Sequence, residues 1–295
     1  MKSILAALAI AFVALAPASP ATAQVPDAAS WRALDPENTL YIDTIHGRVV
    51  VELYPEIAPR HVEQIKTLAS RRFFDGLKFH RVIENFMAQG GDPKGDGTGA
   101  SDLPDVPGEF IFRRGMDMPF IEAAFQGGAR LGFYKALPIV SQPDQMMAIT
   151  KDGKASAWGL HCPGVASMAR GEDPNSANSQ FFLMRAAYPS LDKRYSIWGR
   201  VIWGQDSVLK LAVGEPPAKP DVMTQVRVAA NLPDSERAPI YVMRTESPAF
   251  RKVIEDTRKA RGADFSVCDV QVPVRVPRTA DDKKERPWWR VIPLF

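Results

Sequence analysis

Cysteine and histidine are scarce: two of the first, Cys162 and Cys268, and four of the second in 295 residues. Two thiols cannot staple a disulfide-framed miniprotein. Charge of one sign is scarce too. The 37 Lys and Arg exceed the 34 Asp and Glu by three, too small a bias to make nucleic acid the main partner. Only one long apolar run exists, which excludes a polytopic membrane protein. The 20 glycines and 25 prolines follow no collagen-like period, and 45% hydrophobic residues exclude a wholly disordered chain. No internal repeat is present. A Gly-x-Ser-x-Gly elbow is also missing, and with so few histidines to act as base, a hydrolase is disfavoured. What is left is a globular chain long enough for one large domain, or for one domain with an appendage.

The apolar run is MKSILAALAIAFVALAPASPATAQ. Lys2 gives a positive start, Ile4 to Ala16 is a short apolar stretch, and Ala21-Thr22-Ala23 fits the small-residue rule for cleavage before Gln24. As a helix the stretch spans about 20 Å, short of the roughly 30 Å hydrocarbon core. A signal peptide over residues 1–23 is the expectation, with no stable membrane span after cleavage and a periplasmic location. Export would place Cys162 and Cys268 where disulfides persist. With two cysteines, one intramolecular pair or two reduced, buried thiols both stand as readings.

The pattern downstream is β-rich. Leu40 and Ile42 alternate with polar neighbours, a His46-Gly47 turn follows, and Arg48 to Leu53 completes a hairpin. Pro59 suits the first turn of a helix with Val62, Ile65 and Leu68 on one face. Strands are expected at Lys78 to Ile83, Ser179 to Met184, Ser196 to Trp203 and Val222 to Val228. A short helix is expected from Asp206, stopped at Gly214. Many short strands with two helices suggest a closed antiparallel barrel, which removes sheet edges.

Two stretches lie outside that plan. Residues 109–158 carry apolar side chains without clean periodicity, and read as a surface excursion or as a lid or partner surface. Beyond Asp234, Ser247-Pro248 looks like a cap and first turn. Phe250, Val253, Ile254 and Thr257 then form a stripe, and Gly262 ends the helix. Its other face is basic, and the terminal ERPWWRVIPLF holds Trp288 and Trp289.

The most informative segment is FHRVIENFMAQGGDPKGDGTG, Phe79 to Gly99. Gly95, Gly97 and Gly99 suggest a phosphate loop, but Asp92 and Asp96 would repel phosphate and no Gly-Lys-Ser/Thr follows. Asp92, Asp96 and Gly97 match calcium-loop positions, yet Lys94 and Leu103 stand where ligands are required. A strand carrying one cation, Arg81, followed by Phe86, Met87 and a tight glycine corner, fits better. About 90 residues later comes SMARGEDPNSANSQFFL, Ser167 to Leu183.

Together these segments resemble the two signatures of the cyclophilins, the peptidyl-prolyl cis–trans isomerases, in their bacterial exported form. The similarity runs from about Thr39 to Leu232. It implies a mainly β fold: a closed eight-stranded antiparallel barrel capped by helices over residues 38–233, with an insertion at about 109–158 and an extension over 234–295. It implies that Arg81 is the catalytic donor, with no cofactor and no metal. Phe86, Met87, Phe182 and Leu191 match the family's proline pocket. Gln89 matches the glutamine that holds the arginine, and Gln180, Ala169 and Arg170 match positions that meet the substrate. Tyr195 stands where eukaryotic members carry His. Ser190 replaces an aromatic that helps bind cyclosporin, so weak cyclosporin binding is expected. His80 should face away from Arg81 and be structural.

The implied partners are proline-containing polypeptides, unfolded or folding exported proteins, and not nucleic acid. An alternative keeps the groove but makes the chain a binding or assembly module that uses the excursion and basic tail.

Overall fold

The computed structural model describes residues 27–237 and 239–276. The expected signal peptide over 1–23 and the aromatic tail with Trp288 and Trp289 lie outside the described residues. In chain order, β1 (Trp31–Ala33) leads to the hairpin β2 (Thr39–Thr44) and β3 (Gly47–Leu53), whose two-residue turn is Ile45-His46, with Gly47 (φ +118°) opening β3. Helix α1 (Pro59–Ser70) follows, then β4 (Arg81–Ile83) and β5 (Met87–Gly90). The excursion holds β6 (Phe112–Arg114), β7 (Ile121–Gln126), β8 (Ala129–Tyr134), β9 (Leu137–Ser141) and β10 (Ala155–Gly159). Next come β11 (Val165–Met168), β12 (Phe181–Met184), β13 (Ile197–Trp203), the short α2 (Gln205–Leu209) and β14 (Gln225–Val228). Last are β15 (Tyr241–Met243), α3 (Pro248–Arg261) and β16 (Val274–Arg275).

Eight antiparallel strands curl into one sheet in the order β14-β2-β3-β13-β11-β12-β5-β4. The expectation of a closed barrel is corrected here: β4 and β14 do not share a ladder. Their seam is spanned by an isolated pairing of Lys78 with Val222 and by backbone bonds such as Gly76 N–H to the Met223 carbonyl (2.7 Å). The cause is local. Pro216, Pro217 and Pro220 precede β14 and supply no N–H donors, and β4 is three residues long.

Alternation on the strands sorts side chains to two faces. Phe181, Leu183, Ala88 and Trp198 point inward and join Leu40, Ile42 and Leu53, with Ile65 and Leu68 of α1 closing one end. Their neighbours Phe182, Met184, Met87 and Ile197 point outward into a second cluster. That outer cluster is covered by the excursion, which is a five-stranded antiparallel sheet in the order β6-β10-β9-β8-β7, contributing Phe112, Leu137, Ile139 and Ala157. On its other side, Ile121, Ala123 and Phe133 pack against Phe250 and Ile254 of α3. All of β9 is buried. Burial along β9 and at the Gly132–Tyr134 end of β8 removes the alternating pattern there, while β6, β7 and β10 alternate only over three to five residues, too short a run to stand out in the sequence. The Gly127-Gly128 turn between β7 and β8 was the available signal.

Helix α3 begins and ends as its sequence indicates. Ser247 caps it by accepting from the Phe250 N–H (3.2 Å), and Gly262 follows the last turn. Helix α1 has no side-chain cap of its own at Ala58. Glu109 fills that role from across the molecule, accepting from the N–H groups of Arg60 (3.3 Å) and His61 (3.2 Å) and from His61 Nδ1 (2.7 Å).

Candidate active site

Arg81 opens β4 and sits opposite Gln89 of β5, which in turn sits opposite Phe182 of β12. Three neighbouring strands therefore bring a cation, an amide and an aromatic ring onto one outer face. Arg81 Nη1 donates to Gln89 Oε1 (3.4 Å), and Gln89 Nε2 donates to Gln180 Oε1 (3.0 Å). Gln180 Nε2 donates onward to the carbonyls of Gly97 (3.0 Å) and Gly99 (2.9 Å). The relay fixes which end of each amide is oxygen, so an acceptor faces the guanidinium.

The glycine corner anchors this relay. The Asp92 carboxylate accepts from the N–H groups of Lys94 (2.8 Å), Asp96 (3.0 Å) and Gly97 (2.5 Å). Burial pushes the Asp92 carboxyl up, but these backbone bonds outweigh it and hold it below its ordinary value. Gly95 (φ +70°) and Gly97 (φ +91°) use the left-handed region. At Gly99 the constraint is space, since a Cβ would lie 1.9 Å from Asp92 Oδ1. Asp92 is thus spent on the backbone.

Beside the guanidinium lies an apolar notch. Met87, Phe182 and Leu191 are buried in one cluster, with Phe86, Ala169 and Tyr195 partly buried against it. The Tyr195 ring stands 5.7 Å from Phe182, and the Arg170 guanidinium lies 4.6 Å over Tyr195. Arg170 Nε donates to the Arg194 carbonyl (3.1 Å), and the Ala169 N–H is held by the Gln180 carbonyl (2.9 Å). All ten residues singled out from the sequence thus fall on one face, linked by contacts or through the outer cluster. His80 is buried and faces away, with neither ring nitrogen hydrogen-bonded among the described residues. Burial first, and then the charge of Arg81, press its pKa below the ordinary histidine value.

Three neighbours were missed. Tyr188 is exposed, with its ring tilted against that of Phe86 at 4.4 Å between centroids. His161 stacks on Phe182 at 6.1 Å and is held by Asp192 through Nδ1 (2.9 Å) and by Ser167 Oγ at Nε2 (3.2 Å). Its signal was its place beside Cys162. Glu215 meets Arg81 Nε at 2.7 Å, and nothing local in the sequence pointed to it. Cys162 and Cys268 are disulfide-bonded, with Cα atoms 5.2 Å apart. Cys162 belongs to the cluster that floors the notch. No group of three or more His, Cys, Asp or Glu side chains among the described residues is placed to hold a metal ion.

An arginine thus lies beside an apolar cluster on the outside of a curled eight-stranded sheet. The chain belongs to the cyclophilin family: residues 39–229 match the family described as cyclophilin type peptidyl-prolyl cis-trans isomerase/CLD. It is 35% identical over 225 residues to a probable peptidyl-prolyl cis-trans isomerase of Brucella suis, covering 72% of this chain and 86% of that protein. It is 31% identical over 163 residues to the isomerase ppi1 of Schizosaccharomyces pombe, over 55% of this chain and 77% of that one. Among solved structures it resembles cyclophilin AquaCyp293 from Hirschia baltica, with a TM-score of 0.79, 39% identity and coverage of 85% and 94%. The protein is a cyclophilin-type peptidyl-prolyl cis–trans isomerase.

Proposed function

We propose that Arg81 performs the isomerisation over a proline pocket made by Phe86, Met87, Phe182 and Leu191, acting on proline-containing segments of exported proteins as they fold. Rotation about an X-Pro bond must overcome an amide barrier of about 18–20 kcal/mol. As the bond twists, the prolyl nitrogen loses resonance and gains a lone pair. A guanidinium donates to that nitrogen, or to the adjoining carbonyl oxygen, and so favours the twisted state over both planar ones. The notch holds the proline ring while the relay from Gly97 and Gly99 through Gln180 and Gln89 keeps Arg81 aimed. Main-chain pairing with a peptide falls on the Ala169 carbonyl and on Arg170, because the Ala169 amide is already bonded. Tyr195 offers its hydroxyl to a substrate carbonyl.

The observation that carries this reading is the Arg81 side chain, 40% exposed, tethered to Gln89 at the edge of the buried notch. One preorganised donor supplies roughly 3–4 kcal/mol. Arg81→Ala is therefore expected to slow cis-to-trans conversion of an Ala-Pro peptide by about 10²–10³-fold. Equal rates for the variant and the native protein would remove Arg81 from the mechanism. Export through cleavage before Gln24 fits a bonded cysteine pair, which persists in oxidising compartments. No helix among the described residues is long and apolar enough to cross a membrane. Fractionation of expressing cells should recover a chain beginning at Gln24 in the periplasm; the intact N-terminus in the cytoplasm would overturn this part.

A further inference from the structure

The geometry points to Glu215 as a positioning residue for Arg81, an inference that rests on the role just proposed for that arginine. Val82 and Gly214 exchange both backbone hydrogen bonds, each 2.8 Å. That isolated bridge brings Glu215, the residue after Gly214, alongside Arg81, the residue before Val82. The pairing needs glycine at 214: φ is +154°, and a Cβ would lie 2.5 Å from Pro217 Cα. Glu215 Oε2 then accepts from Arg81 Nε at 2.7 Å.

A guanidinium is planar, with five N–H donors in fixed directions. Gln89 engages Nη1 from one edge and Glu215 engages Nε from the other. Two anchors on one rigid plane fix its orientation and leave the Nη2 donors for a reacting amide. The long aliphatic stem of an arginine 40% exposed would otherwise sample several rotamers. Glu215 reaches the chemistry through Arg81, not through the peptide. Its effect should appear in the transition state and so in kcat, with KM little changed.

The experiment measures kcat and KM for an Ala-Pro peptide with native protein, Glu215→Gln, Glu215→Ala, Arg81→Ala and the Arg81→Ala/Glu215→Ala double variant. We expect kcat to fall about 3- to 10-fold for Glu215→Ala and by less for Glu215→Gln, which keeps an acceptor oxygen without the charge. The double variant should match Arg81→Ala, because residues acting through one another are not additive. Rising salt should lower native kcat toward that of Glu215→Gln, whose own rate should stay flat. Additive losses would mark Glu215 as merely structural, and a higher kcat for Glu215→Ala would mark the ion pair as a restraint; either overturns the inference. Unchanged rates in both Glu215 variants, with Arg81→Ala impaired, would overturn it while leaving the proposed function intact. A native protein no faster than the uncatalysed reaction would overturn that function instead. Should Glu215→Ala fail to fold, the isosteric Glu215→Gln carries the comparison.

Discussion

Arg81, Gln89 and Phe182, the last more than ninety positions from the other two, are brought side by side on β4, β5 and β12. Their identities were legible from two sequence segments. Glu215 was not, because the pairing of Val82 with Gly214 that delivers it joins positions more than a hundred residues apart. Ser190 lies exposed in the turn before Leu191, at the border of the notch. An aromatic ring there buries enough area to add about 1.5–3 kcal/mol to the binding of an apolar ligand. Native protein is expected to bind cyclosporin weakly, and Ser190→Trp to tighten inhibition of peptide isomerisation by at least about tenfold. Unaltered inhibition would show that the ring cannot reach the ligand from this turn.

Elements outside the barrel do more than decorate it. The excursion sheet lies between the notch cluster and α3, and the disulfide fastens the segment after α3 to the wall carrying His161. Of these, α3 was legible, because its cap, stripe and stop are local. The five strands were not: β9 is buried along its whole length, and the alternation of β6, β7 and β10 is too short to read. A cross-link closing a loop this long is worth about 2–5 kcal/mol. Paired Cys162→Ser and Cys268→Ser substitutions should lower the urea midpoint accordingly, and a reductant should do the same to native protein but not to the variant. Deleting residues 234–295 should yield an aggregating chain, because Ile121, Ala123 and Phe133 lose their cover and β1 loses its partner β15. A soluble, monomeric truncation with an unchanged melting temperature would contradict that packing.

At the scale of the whole molecule, acid should act against the fold in two stages. His80 is pressed below its ordinary pKa by burial, so below about pH 6.5 the unfolded chain takes up a proton that the folded chain resists. Asp92 and Glu109 are also subject to burial, which raises them, but hydrogen bonds win and both sit low. The stability they contribute is complete above about pH 4 and is lost as pH falls through their folded values. Urea midpoints measured from pH 7 downward should fall gently below about 6.5 and steeply below about 4. His80→Gln should flatten the gentle part. A midpoint that rises on acidification would contradict the sign. Six of the eight strands of the curled sheet, α1 and both signature segments were readable in the chain; β5 and β11, four residues each, are too short to show a pattern, and the seam between β4 and β14 depends on contacts made only in space. The cross-link also has a consequence for biogenesis. A polypeptide threaded N-terminus first through a translocon delivers Cys162 long before its mate, separated by 106 positions. Under the export proposed above, Cys162 would for that interval be a lone thiol in an oxidising space, open to mixed disulfides, until the segment carrying Cys268 arrives to claim it.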